Sequence, residues 1–158
     1  MFLVSTDGAR QPRPLLHGPG EQWNPRMSPD GRWIAYASSE TKRSEVFVSD
    51  YPAFTSRYQV SSEGGSQPQW SRDGQELWYR RGPQIFSVAI DSARGVSSAK
   101  PRAWFSGQYV FGSEHNYDVA PDGRLLMIKS DPEEMASLGL RVVLNWVDEL
   151  ARRVPNSQ

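Results

Sequence analysis

Two histidines, three regularly placed aspartates and two short glycine clusters are the residues of this chain that could do chemistry. His115 stands in Ser113-Glu114-His115-Asn116, a set of types that could supply a nucleophile, a proton carrier and an amide. Such chemistry needs side chains converging on one reacting atom. Neighbours in sequence rarely do so, and the segment reads as a polar connection. His17 follows a short strand-like stretch and reads as a solvated strand end. Asp30, Asp73 and Asp122 recur in a way that could suggest calcium, but calcium needs several oxygens in one shell and each turn supplies one carboxylate. Asp131-Pro132-Glu133-Glu134 reads as a solvated acidic loop. Gly18-Pro19-Gly20 and Gly64-Gly65 open no helix, as a phosphate-cradling loop would. Neither a Gly-x-Ser-x-Gly elbow nor the loop, lysine and aspartate signatures of a kinase occur. With zero cysteines there is no thiolate. No catalytic residue, metal or cofactor is expected.

The elements that position these residues follow from composition and repetition. In 158 residues, 18 Lys+Arg balance 18 Asp+Glu, so no field of one sign would draw nucleic acid or an anionic membrane. Basic residues are scattered, no cluster exceeds two adjacent charges (Lys42-Arg43, Arg80-Arg81, Arg152-Arg153), and no nucleic-acid partner is expected. No apolar run approaches the roughly 18 residues of a membrane span. The opening Met1-Phe2-Leu3-Val4 lacks the features of a secretory signal. Thirteen Gly, twelve Pro, six Trp and six Tyr favour a turn-rich β protein.

Three segments align without gaps: Pro25 to Tyr36, Pro68 to Tyr79, and Tyr117 to Ile128. Their glycines Gly31, Gly74 and Gly123 lie 43 and 49 residues apart, the period of a four-stranded propeller blade. Each unit centres on a hairpin turn. Ser28-Pro29-Asp30-Gly31 combines a proline that presets φ, an Asp that bonds nearby backbone and a Gly that accepts positive φ. Ala120-Pro121-Asp122-Gly123 repeats it, and Ser71-Arg72-Asp73-Gly74 keeps its Asp-Gly core. The strands that follow, Trp33 to Ala37, Leu77 to Tyr79 and Leu125 to Ile128, are continuously apolar, which predicts burial on both faces. Third and fourth strands are expected at Glu45 to Ser49 and Arg57 to Val60, then at Gln84 to Ile90 and Arg102 to Phe105.

These runs resemble the TolB-like (WD40-like) β-propeller repeat. More closely, Gly31 to Tyr36, Glu45 to Val48, Gly64 to Trp70 and Val142 to Trp146 resemble, in this order, the C-terminal propeller of bacterial eukaryotic-like serine/threonine kinases. The resemblance implies an all-β fold: a partial β-propeller of about three four-stranded antiparallel blades with a short C-terminal helix. One segment spans 1–158, with outer strands of a preceding blade over 1–17, blades over 24–60 and 67–106, a last blade over 116–146 and a helical tail over 147–154. Closed propellers generally need more blades, so the chain is expected to be part of a longer product or to associate. It implies a non-catalytic interaction or sensor module attached to a kinase, whose partner is a protein, a peptide or the remaining blades. The alternative is the substrate-filtering propeller of a prolyl-oligopeptidase-like hydrolase. The compartment follows that context: extracytoplasmic beside a membrane-spanning kinase, cytoplasmic for this chain alone.

In a propeller the connections leading into the innermost strands gather at one mouth of the channel. Here Trp23, Asn24, Gln67 and Asn116 are the candidate ligand- or partner-binding residues, having amide and aromatic groups suited to a peptide or small polar ligand. Arg26, Gln69 and Asp118, just inside, would either line the funnel or join blades. Asp30, Gly31, Asp73, Gly74, Asp122 and Gly123 are read as structural turns.

Overall fold

The structure is a computed structural model that describes residues 1–6, 8, 11–16, 18–91, 95–96, 100–112 and 114–129. The expected strand at 140–145, the helical tail at 147–154 and His17 lie outside the described residues. Every element among the described residues is a strand. Phe2–Leu3 (β1) and Arg13–Pro14 (β2) form a two-stranded antiparallel sheet.

The first full blade is a meander of Gln22–Met27 (β3), Trp33–Ser38 (β4), Glu45–Asp50 (β5) and Arg57–Gln59 (β6), paired in chain order and antiparallel throughout. The second runs Ser66–Trp70 (β7), Glu76–Arg81 (β8), Gln84–Asp91 (β9) and Arg102–Ser106 (β11). A short strand that the sequence does not announce, Gly95–Val96 (β10), pairs with the far end of β9. Tyr117–Val119 (β12) and Leu125–Met127 (β13) form the hairpin that begins a third unit.

Burial follows from stacking. All of β4 is buried, as is Leu77 to Arg80 of β8, whose two faces meet the first blade and the third unit. One apolar cluster joins the first two blades: Trp33, Ala35, Val46 and Val48 meet Leu77, Tyr79, Phe86 and Val88. Each large side chain so buried is worth about 1.5–3 kcal/mol, and this junction is the main source of cohesion. A smaller cluster, Trp78, Ile85 and Tyr117 with Val119, Leu125 and Met127, joins the second blade to the third. The inner strand β7 packs against β3, and β12 against β7, so the first strands of successive sheets converge.

The third hairpin departs from the other two. Met27 pairs with Ile34 and Trp70 with Leu77, yet Val119 pairs with Leu125 where the repeat would place Leu126. Ser28 and Ser71 explain the difference. Their hydroxyls accept the N–H of Trp33 and Glu76, each at 2.9 Å, which bridges the wider loop. Ala120 has no hydroxyl, and its own N–H closes the loop one residue sooner on the Arg124 carbonyl at 2.8 Å. A one-residue slip inverts a strand. Leu125 and Met127 therefore face the second blade, and Leu126 and Ile128 stand 73% and 55% exposed. The expectation that Leu125 to Ile128 would be covered on both faces is corrected accordingly.

Candidate functional site

Each of the first two inner strands carries a bulge at the same repeat position. Asn24 and Gln67 have φ of 51° and 53°, and the ladder slips beside them, between Trp23 and Arg26 and between Ser66 and Gln69. The left-handed backbone re-aims the side chain that follows from a pleated strand. Gln67 is thereby turned inward and fully buried. Its amide nitrogen donates to the Gly112 carbonyl at 2.8 Å, to the Glu114 carbonyl, and to Asn116 Oδ1 at 3.1 Å. Tyr117 returns a bond from its hydroxyl to the Gln67 carbonyl at 2.7 Å, and a His115 ring nitrogen lies 3.2 Å from the Pro68 carbonyl. Of the four mouth candidates, the structure brings Gln67 and Asn116 into direct contact. Their polar atoms hold the third unit onto β7.

Arg26, Gln69 and Asp118 form a second join, one step along the strands. Arg26 Nε donates to Gln69 Oε1 at 2.7 Å, and Gln69 Nε2 donates to Asp118 Oδ1 at 2.7 Å. One amide thus links three successive units. The Trp70 indole adds a bond to the Arg26 carbonyl at 3.0 Å. Of the two roles open to this row, blade-to-blade bonding is the one its geometry fills. His115 sits beside it with its pKa lowered, first by burial and then by the Arg26 charge. Both causes favour the neutral ring.

Trp23 and Asn24 lie apart from these bonds, both half-buried. Trp23, Glu21, Gln22 and Met1 line an open surface cavity of about 600 Å³. At the other end of the inner strands the turn residues act locally. Asp30 accepts from the Ser28 hydroxyl at 2.6 Å and from Arg32 Nε at 2.8 Å, which holds its pKa down at about 2. Asp73 is likewise lowered, by Ser71 and the Gln75 N–H, and Asp122 pairs with Arg124. Gly31, Gly74 and Gly123 all have positive φ.

Two buried charges escaped the reading of the sequence. Arg80 is fully buried on β8, bonded to the Val110 carbonyl with its guanidinium over the Phe111 ring, 5.0 Å from the centroid. Alternation along Leu77-Trp78-Tyr79-Arg80 was the signal, since it places Arg80 on the face it shares with Trp78. Glu45, also fully buried, accepts from Ser61, Arg43 and the Gly64 N–H, tying the 61–65 connection to β5. No group of three or more His, Cys, Asp or Glu side chains among the described residues could hold a metal ion.

No family model matches the sequence. Among solved structures, a TolB candidate from Agrobacterium tumefaciens is similar with a TM-score of 0.53 at 21% identity, over 76% of this chain and 46% of that one. The fold is that of a TolB-like β-propeller. A candidate 6-phosphogluconolactonase from Bacteroides uniformis is similar to the propeller at a TM-score of 0.52 and 17% identity, over 80% of this chain and 39% of that one. TolB from Acinetobacter baumannii is 19% identical over 83% of this chain and 43% of its own, with a TM-score of 0.48. The chain thus spans less than half the length of each of these proteins.

Proposed function

We propose that this propeller segment is a non-catalytic interaction module whose mouth binds a peptide or protein segment. The carrying observation is Trp23, a half-buried indole beside the start of an inner strand, lining an open cavity of about 600 Å³. An indole held by the sheet offers a large, rigid contact surface at low entropic cost, the property that makes tryptophan a frequent binding hot spot. Inner-strand polar groups nearby are engaged in joining blades, which keeps the rim rigid. The finer reading is that the segment belongs to a propeller attached to a bacterial serine/threonine kinase, and it rests on the sequence runs Gly31 to Tyr36, Glu45 to Val48, Gly64 to Trp70 and Val142 to Trp146.

The test pans a random dodecapeptide library against the chain and maps the selected peptides by amide chemical shifts. Shifts centred on Glu21 to Asn24, with binding lost in Trp23→Ala and melting unchanged, are the expected result. Peptides that bind Trp23→Ala equally well would remove the mouth. The likeness to a lactonase candidate supplies a second reading, hydrolysis of 6-phosphogluconolactone. Turnover no faster than the spontaneous reaction is expected.

A further inference from the structure

The two junctions between successive blades can be compared residue by residue, and they are not filled alike. At the first, Trp33 from one blade and Trp70 from the next belong to the same buried cluster, and Pro29 packs over Gly74 with its Cδ 3.5 Å from the Cβ position. At the second, repeat spacing puts Glu76 and Val119 where those two indoles stand, and Arg72 and Gly123 where Pro29 and Gly74 meet. Trp78, which replaces the small Ala35, recovers part of the lost volume. The remainder stays open. A groove of about 440 Å³ runs between the hairpin turns of the second and third units, lined by Arg72, Asp73, Glu76, Trp78, Val119 and Gly123 among others. Among the described residues, nothing beyond its chain neighbours lies within 4 Å of where a Cβ on Gly123 would be.

Charge narrows the occupant. Asp73 is already engaged by Ser71 and the Gln75 N–H. Glu76 is a half-buried residue at the groove with no ion pair among the described residues, and together with Asp73 it outweighs the positive charge of Arg72 in the lining. A net negative lining beside an apolar wall favours a cation next to an apolar ring.

We propose that this groove, at the opposite end of the inner strands from Trp23, is a second binding site that takes a peptide bearing a tryptophan next to a lysine or arginine. The ring occupies the space that the first junction fills with its own indoles, against Trp78 and Val119, and the cation pairs with Glu76. Aromatic contact of this kind adds to simple burial.

The nitrogen-15-labelled chain is titrated with N-acetyl-Trp-Lys-amide, and with the Ala-Lys and Trp-Glu counterparts as controls. Saturable shifts at Ser71 to Glu76 and Val119 to Gly123 with the first peptide, and weaker ones with both controls, are expected. Glu76→Gln should weaken binding by about two- to fivefold, the range of a part-exposed ion pair. Val119→Trp should fill the groove, abolish the shifts and leave peptides selected at the mouth bound as before. Val119→Phe serves the same purpose should the larger ring prevent folding. Absence of shifts at these turns, equal shifts with all three peptides, or shifts that survive both Val119 variants would overturn the proposal.

Discussion

Ser28 and Asp30 show how much one turn can ask of its side chains. The serine hydroxyl donates to the aspartate and accepts from Trp33, while Asp30 also holds Arg32. A carboxylate whose folded pKa is depressed from 3.8 to about 2 contributes stability that is fully present above pH 3.8 and is lost as pH falls through the lower value. Asp30→Asn is therefore expected to flatten the fall in stability below pH 4, as followed by denaturant melts at stepped pH, and an unchanged acid limb would contradict this. His115 works in a higher window with the same sign. Its lowered pKa gives stability that is complete above pH 6.5 and declines as pH drops below it. His115→Asn should remove that decline. Gln67→Ala is expected to cost about 1–3 kcal/mol, the range for leaving buried acceptors unsatisfied, and thermal melts would report it. The Asp-Gly turns were legible because their chemistry is local. The inward aim of Gln67 was not, since it depends on a left-handed backbone at a bulge that no residue type there requires.

At the scale of strands, positions in the repeat were readable and register was not. Trp33 to Ala37 is buried at every position, and its continuous apolarity said so. Leu125-Leu126-Met127-Ile128 is apolar at every position, so either register presents an apolar face and the pattern cannot choose between them. The loop chooses. Ala120→Ser restores the hydroxyl that widens the first two hairpins, and it is expected to move β13 by one residue so that Val119 faces Leu126. Cross-strand nuclear Overhauser contacts would show the change. Continued pairing of Val119 with Leu125 would mean that something other than the hydroxyl sets the loop.

The molecule as a whole is unevenly consolidated. The large cluster shared by the first two blades should make β4, β5, β8 and β9 exchange their amide hydrogens together and last, with β12 and β13 opening earlier. The exposed Leu126 and Ile128 give the third unit an apolar face, and reversible self-association that Leu126→Lys weakens is expected in sedimentation at rising concentration. Between blades, polar side chains at the inner strands act as joints, the proposed binding falls to the mouth, and Gln69 is where that division is most exposed to test. Gln69→Leu removes both of its bonds, to Arg26 and to Asp118. Stability should fall by about 1 kcal/mol, amide exchange at Tyr117 to Val119 should quicken, and peptides selected at the mouth should bind as they do to the parent chain. Unaltered stability together with lost peptide binding would contradict the account, because the row would then belong to the ligand and not to the blades.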